Sequence, residues 1–271
     1  MDQFTDIRSS GKIAMKLEDK DALIGVNLCS EKDDILLSTK DGKCIRFPVS
    51  KLRIFQSRSS TGVRGIKLDK NNKVIAMSIL KHSAADILVK EQYLKISAQK
   101  RIELKEALLF NQSLKEKTSE DLLLCQPKEI PLIKDSELSQ DQIEKLAINE
   151  DFILTITKNG FGKRSSAYEY RITNRGGSGI TNIVTSKRNG DVVASFPIDD
   201  SDQVMVITNK GVLIRTDINT VRITGRNTQG VTLIKAKDET VVSVARVAHT
   251  GNKEVDEAEV GALRCMDESA S

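Results

Sequence analysis

The stretch Ile153-Leu-Thr-Ile-Thr-Lys-Asn-Gly-Phe-Gly-Lys-Arg164 reads as a β-branched strand, a polar turn ending in glycine, and a second strand with arginine four residues past that glycine. Two other stretches read the same way: Ile35-Leu-Leu-Ser-Thr-Lys-Asp-Gly-Lys-Cys-Ile-Arg46 and Val204-Met-Val-Ile-Thr-Asn-Lys-Gly-Val-Leu-Ile-Arg215. The turns at Gly42, Gly160 and Gly211 carry hairpin chemistry, because a tight reversal needs the positive φ that glycine accepts. Alternation along the strands puts one face inward and the other outward.

A second element trails each hairpin: Ser60-Thr-Gly62-Val-Arg-Gly-Ile66, Gly177-Ser-Gly179-Ile-Thr-Asn-Ile183 and Thr228-Gln-Gly230-Val-Thr-Leu-Ile234. From hairpin glycine to trailing glycine the spacing is 20, 19 and 19 residues, too regular to be incidental. A further strand then follows, at 73–79, 191–196 and 240–245. Each repeat therefore offers about four strands in roughly 50 residues, the size of one propeller blade. The trailing element occurs once more near the start, as Ser9-Ser-Gly11-Lys-Ile-Ala-Met-Lys-Leu17, with Ala22-Leu-Ile-Gly-Val26 as the strand after it. The chain reads as beginning inside a blade, and so as a fragment or as one half of a split subunit. The fold class is all-β: a propeller-like array of about four-stranded blades, three full and one partial.

One region breaks the period. Hairpin glycines 160 and 211 are 51 residues apart, whereas 42 and 160 are 118 apart, so the second interval holds an insert of about 65 residues. Val89 to Lys117 is rich in Lys, Glu, Leu and Ala, with apolar positions Leu104, Ala107, Leu108 and Leu114 near helical spacing. Ser139 and Gln142 fit a capping box before Ile143 and Leu146, and Gln126-Pro-Lys-Glu-Ile-Pro131 reads as a linker. One or two loosely attached helices and a flexible acidic loop are both open readings. The expected organisation is a partial blade plus a full blade over 1–81, the insert over 82–150, two further blades over 151–250, and an acidic disordered tail over 251–271.

The net charge is only +4, but it is unevenly spread. Residues 1–80 carry +5, residues 81–150 carry −2, residues 151–250 carry +5 and residues 251–271 carry −4. Basic blocks followed by an acidic tail fit a polyanionic partner with an element that competes for the same surface, though mild charge blocks also occur on plain solvated surfaces. The four cysteines form no C-x-x-C pair and only two histidines could join them, so no zinc site is expected. No signal-peptide pattern and no apolar run long enough to cross a bilayer is read. The cysteines read most simply as reduced thiols of a cytoplasmic protein.

Several motifs together resemble the C-terminal domain of bacterial DNA gyrase A subunits and, more distantly, that of topoisomerase IV. They are Gly11-Lys-Ile-Ala-Met-Lys-Leu17, Thr61-Gly-Val-Arg-Gly-Ile66, Asn159-Gly-Phe-Gly-Lys-Arg164 with Glu169-Tyr170, and Gly225-Arg-Asn-Thr-Gln-Gly-Val231. The resemblance covers about 1–80 and 151–250 and keeps the family's motif order. It implies a β-pinwheel with a basic rim around which double-stranded DNA wraps, presented for negative supercoiling by an ATP-dependent type II topoisomerase. The implied partners are the rest of the gyrase A subunit, together with the gyrase B subunit. The first blade, which bears the family's Gln-Arg-Arg-Gly-Gly box, is absent from the sequence. Asn174-Arg-Gly-Gly-Ser-Gly179 is a partial look-alike, open to reading as a phosphate site or as an ordinary glycine-rich connection.

A wrapping surface needs cations along a curved rim, not base-reading side chains. The candidates are Lys43, Arg46, Arg58, Arg64 and Lys67 in the first full repeat. The second offers Lys163, Arg164, Arg171, Arg175, Lys187 and Arg188, and the third Arg215, Arg222 and Arg226. Arg46, Arg164 and Arg215 share one repeat position, which predicts equivalent exposed points on successive blades. A solvated strand-face charge is the plainer account of any one of them.

No catalytic residue, metal or cofactor is expected. Ser10-Gly-Lys12 lacks the Walker A spacing, and no G-x-S-x-G or H-E-x-x-H occurs. Tyr93, Tyr168 and Tyr170 sit outside any winged-helix context, so none is assigned as a nucleophile. Asp199, Asp200 and Asp202 lack the glycine and terminal glutamate of an EF-hand and read as a polar turn. The rival to DNA wrapping is a propeller that docks proteins through its faces or its insert.

Overall fold

The computed structural model describes residues 11–19, 21–55, 60–115, 126–134, 136–235 and 238–248. The three hairpins form where the turn glycines place them: β1 (Asp33–Thr39) with β2 (Lys43–Pro48), β4 (Phe152–Thr157) with β5 (Phe161–Ser166), and β8 (Gln203–Thr208) with β9 (Leu213–Asp217). Gly42, Gly160 and Gly211 have φ of +87°, +78° and +80°, as their turns demand. Each hairpin gains a strand on its first member: β3 (Val74–Lys81) on β1, β7 (Val192–Ile198) on β4, and β11 (Val241–Val247) on β8.

The fourth strand departs from the repeat as the sequence divides it. The trailing elements form β6 (Ile180–Thr181) and β10 (Val231–Thr232), but neither joins its own hairpin. Strand β6 pairs with β2, Lys43 opposite Thr181 and Cys44 opposite Ile180, and β10 pairs with β5 in the same way. The sheet orders are β3-β1-β2-β6, β10-β5-β4-β7 and β11-β8-β9. Each four-stranded blade is thus completed by the following repeat. The reason is steric. A Cβ on Gly230 would meet the Gly162 carbonyl oxygen at 2.8 Å, and one on Gly160 would meet the Ile234 carbonyl oxygen at 2.5 Å. Both recurring glycines exist so that two backbones can approach.

Alternation fails where sheets stack on both sides. All six residues of β4 are buried, while β8 alternates and β9 is mostly exposed. One apolar cluster joins Leu154 and Ile156 to Val204, Val206, Ile234 and Val241; another joins Leu36, Cys44 and Leu80 to Ile153, Ala167 and Tyr170. The middle sheet is therefore covered from both sides. Its buried polar side chains satisfy one another: Tyr170 donates to Asn182 Oδ1 at 2.7 Å, and Asn182 Nδ2 reaches Thr155 and Ser195. Neither the described part of the first trailing element, Gly11–Leu17, nor Ala22–Val26, read as the strand after it, forms a strand. Ile13, Leu23, Ile24, Val26 and Leu28 are all more than half exposed.

The insert holds three helices, α1 (Ile87–Lys95), α2 (Ala98–Lys115) and α3 (Gln140–Ile148). The expected capping box at Ser139 and Gln142 is present. The attachment is firm, not loose. Tyr93, Leu104, Leu108, Ile143, Leu146 and Ala147 share one core with Tyr168 of the second repeat, and Tyr168 donates to the Leu146 carbonyl at 2.8 Å. Glu150, fully buried, accepts from Tyr93 at 2.8 Å and pairs with Arg101. Burial pushes the Glu150 carboxyl upward, and the Arg101 guanidinium opposes that.

Candidate nucleic-acid interface

The recurring arginine after each hairpin is not a rim residue. Arg46 and Arg164 are 3% and 4% exposed, which leaves neither an edge to offer a phosphate. Arg46 Nε meets Asp34 at 2.9 Å, Nη1 donates to the Ala167 carbonyl at 2.8 Å and Nη2 to the Lys81 carbonyl at 2.9 Å. Arg164 Nε donates to the Val221 carbonyl at 2.8 Å, and the guanidinium pairs with Asp200. In both cases the arginine grips the connection that leaves the following repeat's hairpin, which bridges it through Ile172 or Ile223. Arg215 is exposed and donates to Gln203 at 2.6 Å. In the first two repeats the shared position is a blade-to-blade clamp. Sequence spacing reports the recurrence but not which side of the strand is covered.

Lys163 is likewise fully buried, its Nζ donating to the Gly225 and Arg226 carbonyls at 2.8 Å each. Burial lowers its pKa to about 8. Lys43 is half-exposed but engaged with Asp69 at 2.7 Å, which raises its pKa. Arg58 lies outside the described residues.

The remaining candidates gather along the trailing elements. Arg64, Lys67, Arg171, Arg175, Lys187, Arg188 and Arg222 are exposed, and Arg226 is half-buried. The elements that carry them are linked in sequence by repeated bonds. Arg175 Nη1 donates to the Arg64 carbonyl at 3.1 Å, and Arg226 Nη1 donates to the Thr181 carbonyl at 2.7 Å. The Lys67 amide donates to the Gly177 carbonyl and the Val184 amide to the Thr228 carbonyl, at 2.8 and 2.9 Å. Counting back four residues from each trailing glycine reaches Arg58, Arg175 and Arg226, and counting back eight from the last two reaches Arg171 and Arg222. This recurrence marks the surface.

Asn174 to Gly179 lies against β2 and helps line a cavity of about 170 Å³ with Arg46, Arg171 and Thr173. It serves as a backbone connection: Gly176 donates to the Gly65 carbonyl at 2.6 Å and Thr173 to the Arg46 carbonyl at 2.8 Å. The three tyrosines are buried in structural hydrogen bonds. The aspartates at 199–202 hold arginines. Asp200 pairs with Arg164, and Asp199 and Asp202 pair with Arg246 at 2.9 and 2.7 Å. Among the described residues no helix is long and apolar enough to cross a membrane.

Repeated hairpins that hand their trailing strand back to the preceding sheet define a β-pinwheel. The sequence matches the family described as DNA gyrase C-terminal domain, beta-propeller, over residues 1–30, 33–81, 151–199 and 202–248, and the chain belongs to that family. It is 45% identical over 257 residues to the DNA gyrase A subunit of Rickettsia bellii (strain RML369-C), covering 94% of this chain and 26% of that protein. The corresponding figures for Granulibacter bethesdensis (strain ATCC BAA-1260 / CGDNIH1) are 44%, 92% and 26%, and for Escherichia coli (strain K12) 32%, 93% and 21%. The chain thus spans about a quarter of the length of these relatives. A match over 257 residues is too long for the blades alone and takes in the helical insert, which the family match leaves out. Among solved structures, a DNA gyrase A C-terminal domain aligns with a TM-score of 0.57 at 18% identity, covering 88% of this chain and 59% of that one. A topoisomerase IV C-terminal domain aligns at 0.62 and 16%, covering 97% and 60%. These likenesses support the fold alone.

Proposed function

We propose that this chain binds double-stranded DNA along the row of trailing elements and is the wrapping module of a type II topoisomerase, presenting duplex DNA for negative supercoiling. The observation that carries the reading is the repeated linkage of those elements through Arg175 and Arg226, with Arg64, Lys67, Arg171, Lys187, Arg188 and Arg222 exposed beside them. Family membership supports it independently. Backbone contact and bending suffice for such binding. The partners this role requires are the remainder of a gyrase A subunit, together with the gyrase B subunit, in a cytoplasmic setting with no membrane contact. The acidic segment 251–271 competes for the same cations.

Titration of a labelled duplex at several salt concentrations tests this. Affinity is expected to fall with salt with a log–log slope of about −0.9 for each phosphate neutralised. Arg171→Glu with Arg222→Glu is expected to weaken binding and flatten that slope. Binding that ignores both salt and these substitutions overturns the reading.

A further inference from the structure

We propose that Arg226 is a positioning residue for DNA binding: it fixes the spacing between the exposed cations of two neighbouring blade edges, and Lys163, Ser165 and Glu169 set it in place. This rests on the wrapping role proposed above. The other cations of the trailing elements are exposed, but Arg226 is turned into the protein. Its Nη1 donates to the Thr181 carbonyl at 2.7 Å, and its Nε is buried with no hydrogen-bond partner among the described residues. Thr181 belongs to β6, the edge strand of the first sheet, and Arg226 leads into β10, the edge strand of the second. One guanidinium thus ties the two edges together. On one side of the tie lie Arg171, Lys187 and Arg188, and on the other Arg222, all exposed.

The loop that carries Arg226 is preset by the repeat before it. Ser165 Oγ donates to the Thr224 carbonyl at 2.7 Å, and Lys163 Nζ donates to the Gly225 and Arg226 carbonyls at 2.8 Å each. The Arg226 amide donates to Glu169 Oε2 at 2.8 Å, and the Thr228 hydroxyl closes the loop on the Gly225 carbonyl at 2.9 Å. Three successive carbonyls are therefore held by side chains, two of which, Lys163 and Ser165, are fully buried. A group fixed before its ligand arrives costs no ordering on binding. The loop at the same place in the second repeat lacks this grip. Counted from the hairpin glycine, the residues that match Lys163, Ser165 and Glu169 in the first hairpin are Ile45, Phe47 and Lys51. The first two have no polar side-chain atom, and lysine has no acceptor. The preset loop is thus a property of these particular residues and not of the repeat.

Titration of a short duplex labelled at both ends, with salt dependence and end-to-end energy transfer read together, separates positioning from direct contact. Loss of one phosphate contact makes the log–log salt slope shallower by about 0.9. Arg226→Met should leave the slope unchanged and lower the energy transfer of the bound duplex, because the two cation groups lose their fixed spacing and the duplex is bent less. Glu169→Ala removes no cation and should lower the transfer likewise. Glu169→Gln, whose amide oxygen still accepts from the Arg226 amide, should restore it. A slope shallower by about 0.9 in Arg226→Met makes this residue a plain phosphate contact and overturns the proposal, and so does full energy transfer in Glu169→Ala. Absent or salt-independent binding by the unaltered chain instead overturns the wrapping role, and the positioning role with it.

Discussion

Gly230 and Gly162 lie backbone to backbone, close enough that a Cβ on Gly230 would sit 2.8 Å from the Gly162 carbonyl oxygen. Gly230 also has φ of +77°. Gly230→Ala therefore strains the backbone and forces β10 away from β5. We expect destabilisation of more than about 1 kcal/mol. Urea unfolding would measure it, and hydrogen exchange should rise first at the amides of β10.

Arg46 and Asp34 form an ion pair in which both side chains are almost fully buried. Among the described residues, Arg46→Met leaves the Asp34 carboxylate with His82, at 2.8 Å, and strips two carbonyls of their donor. Breaking such a pair costs about 3–5 kcal/mol. Combining Arg46→Met with Asp34→Asn should recover part of that loss, because the stranded charge is gone. Thermal unfolding of the two single variants and the double variant gives the coupling directly.

Lys163 sets a pH dependence with a definite sign. Its pKa falls from 10.5 to about 8 on folding, so the buried ammonium is disfavoured and the full penalty acts below pH 8. Between pH 8 and 10.5 the folded chain releases this proton before the unfolded chain does, so this residue's contribution to stability rises with pH. The neutral amine keeps two N–H groups for the Gly225 and Arg226 carbonyls. Stability of the unaltered chain relative to Lys163→Met is expected to improve from neutral pH to about pH 10 by up to about 3 kcal/mol. A flat difference across that range would count against the assignment.

Removing residues 252–271 deletes six acidic and two basic residues. If that segment competes for the trailing-element cations, the shortened chain should bind duplex DNA more tightly at low salt, with the gap closing as salt rises. Unchanged or weaker affinity would remove the tail from the mechanism.

The fold was largely legible in the chain because its determinants are local. Turn glycines need positive φ wherever they sit, strand patterns follow from side-chain alternation, and the capping box at Ser139 and Gln142 spans four residues. The candidate site was less legible. Arg46, Arg164 and Arg215 recur perfectly, yet two are buried and one is exposed. Lys163 follows a strand pattern as well as any surface lysine, and it is fully covered.

From the chain alone come the three hairpins, the repeat length, the place of the insert and the family, whereas the insert reads as helices or as a loop until its packing on Tyr168 decides between them. Which hairpin each trailing element joins was settled by tertiary packing, and with it which arginines become clamps and which face solvent. A strand's partner, and what covers its faces, depend on residues far along the chain. The exchange of strands between repeats is a contact of that long-range kind.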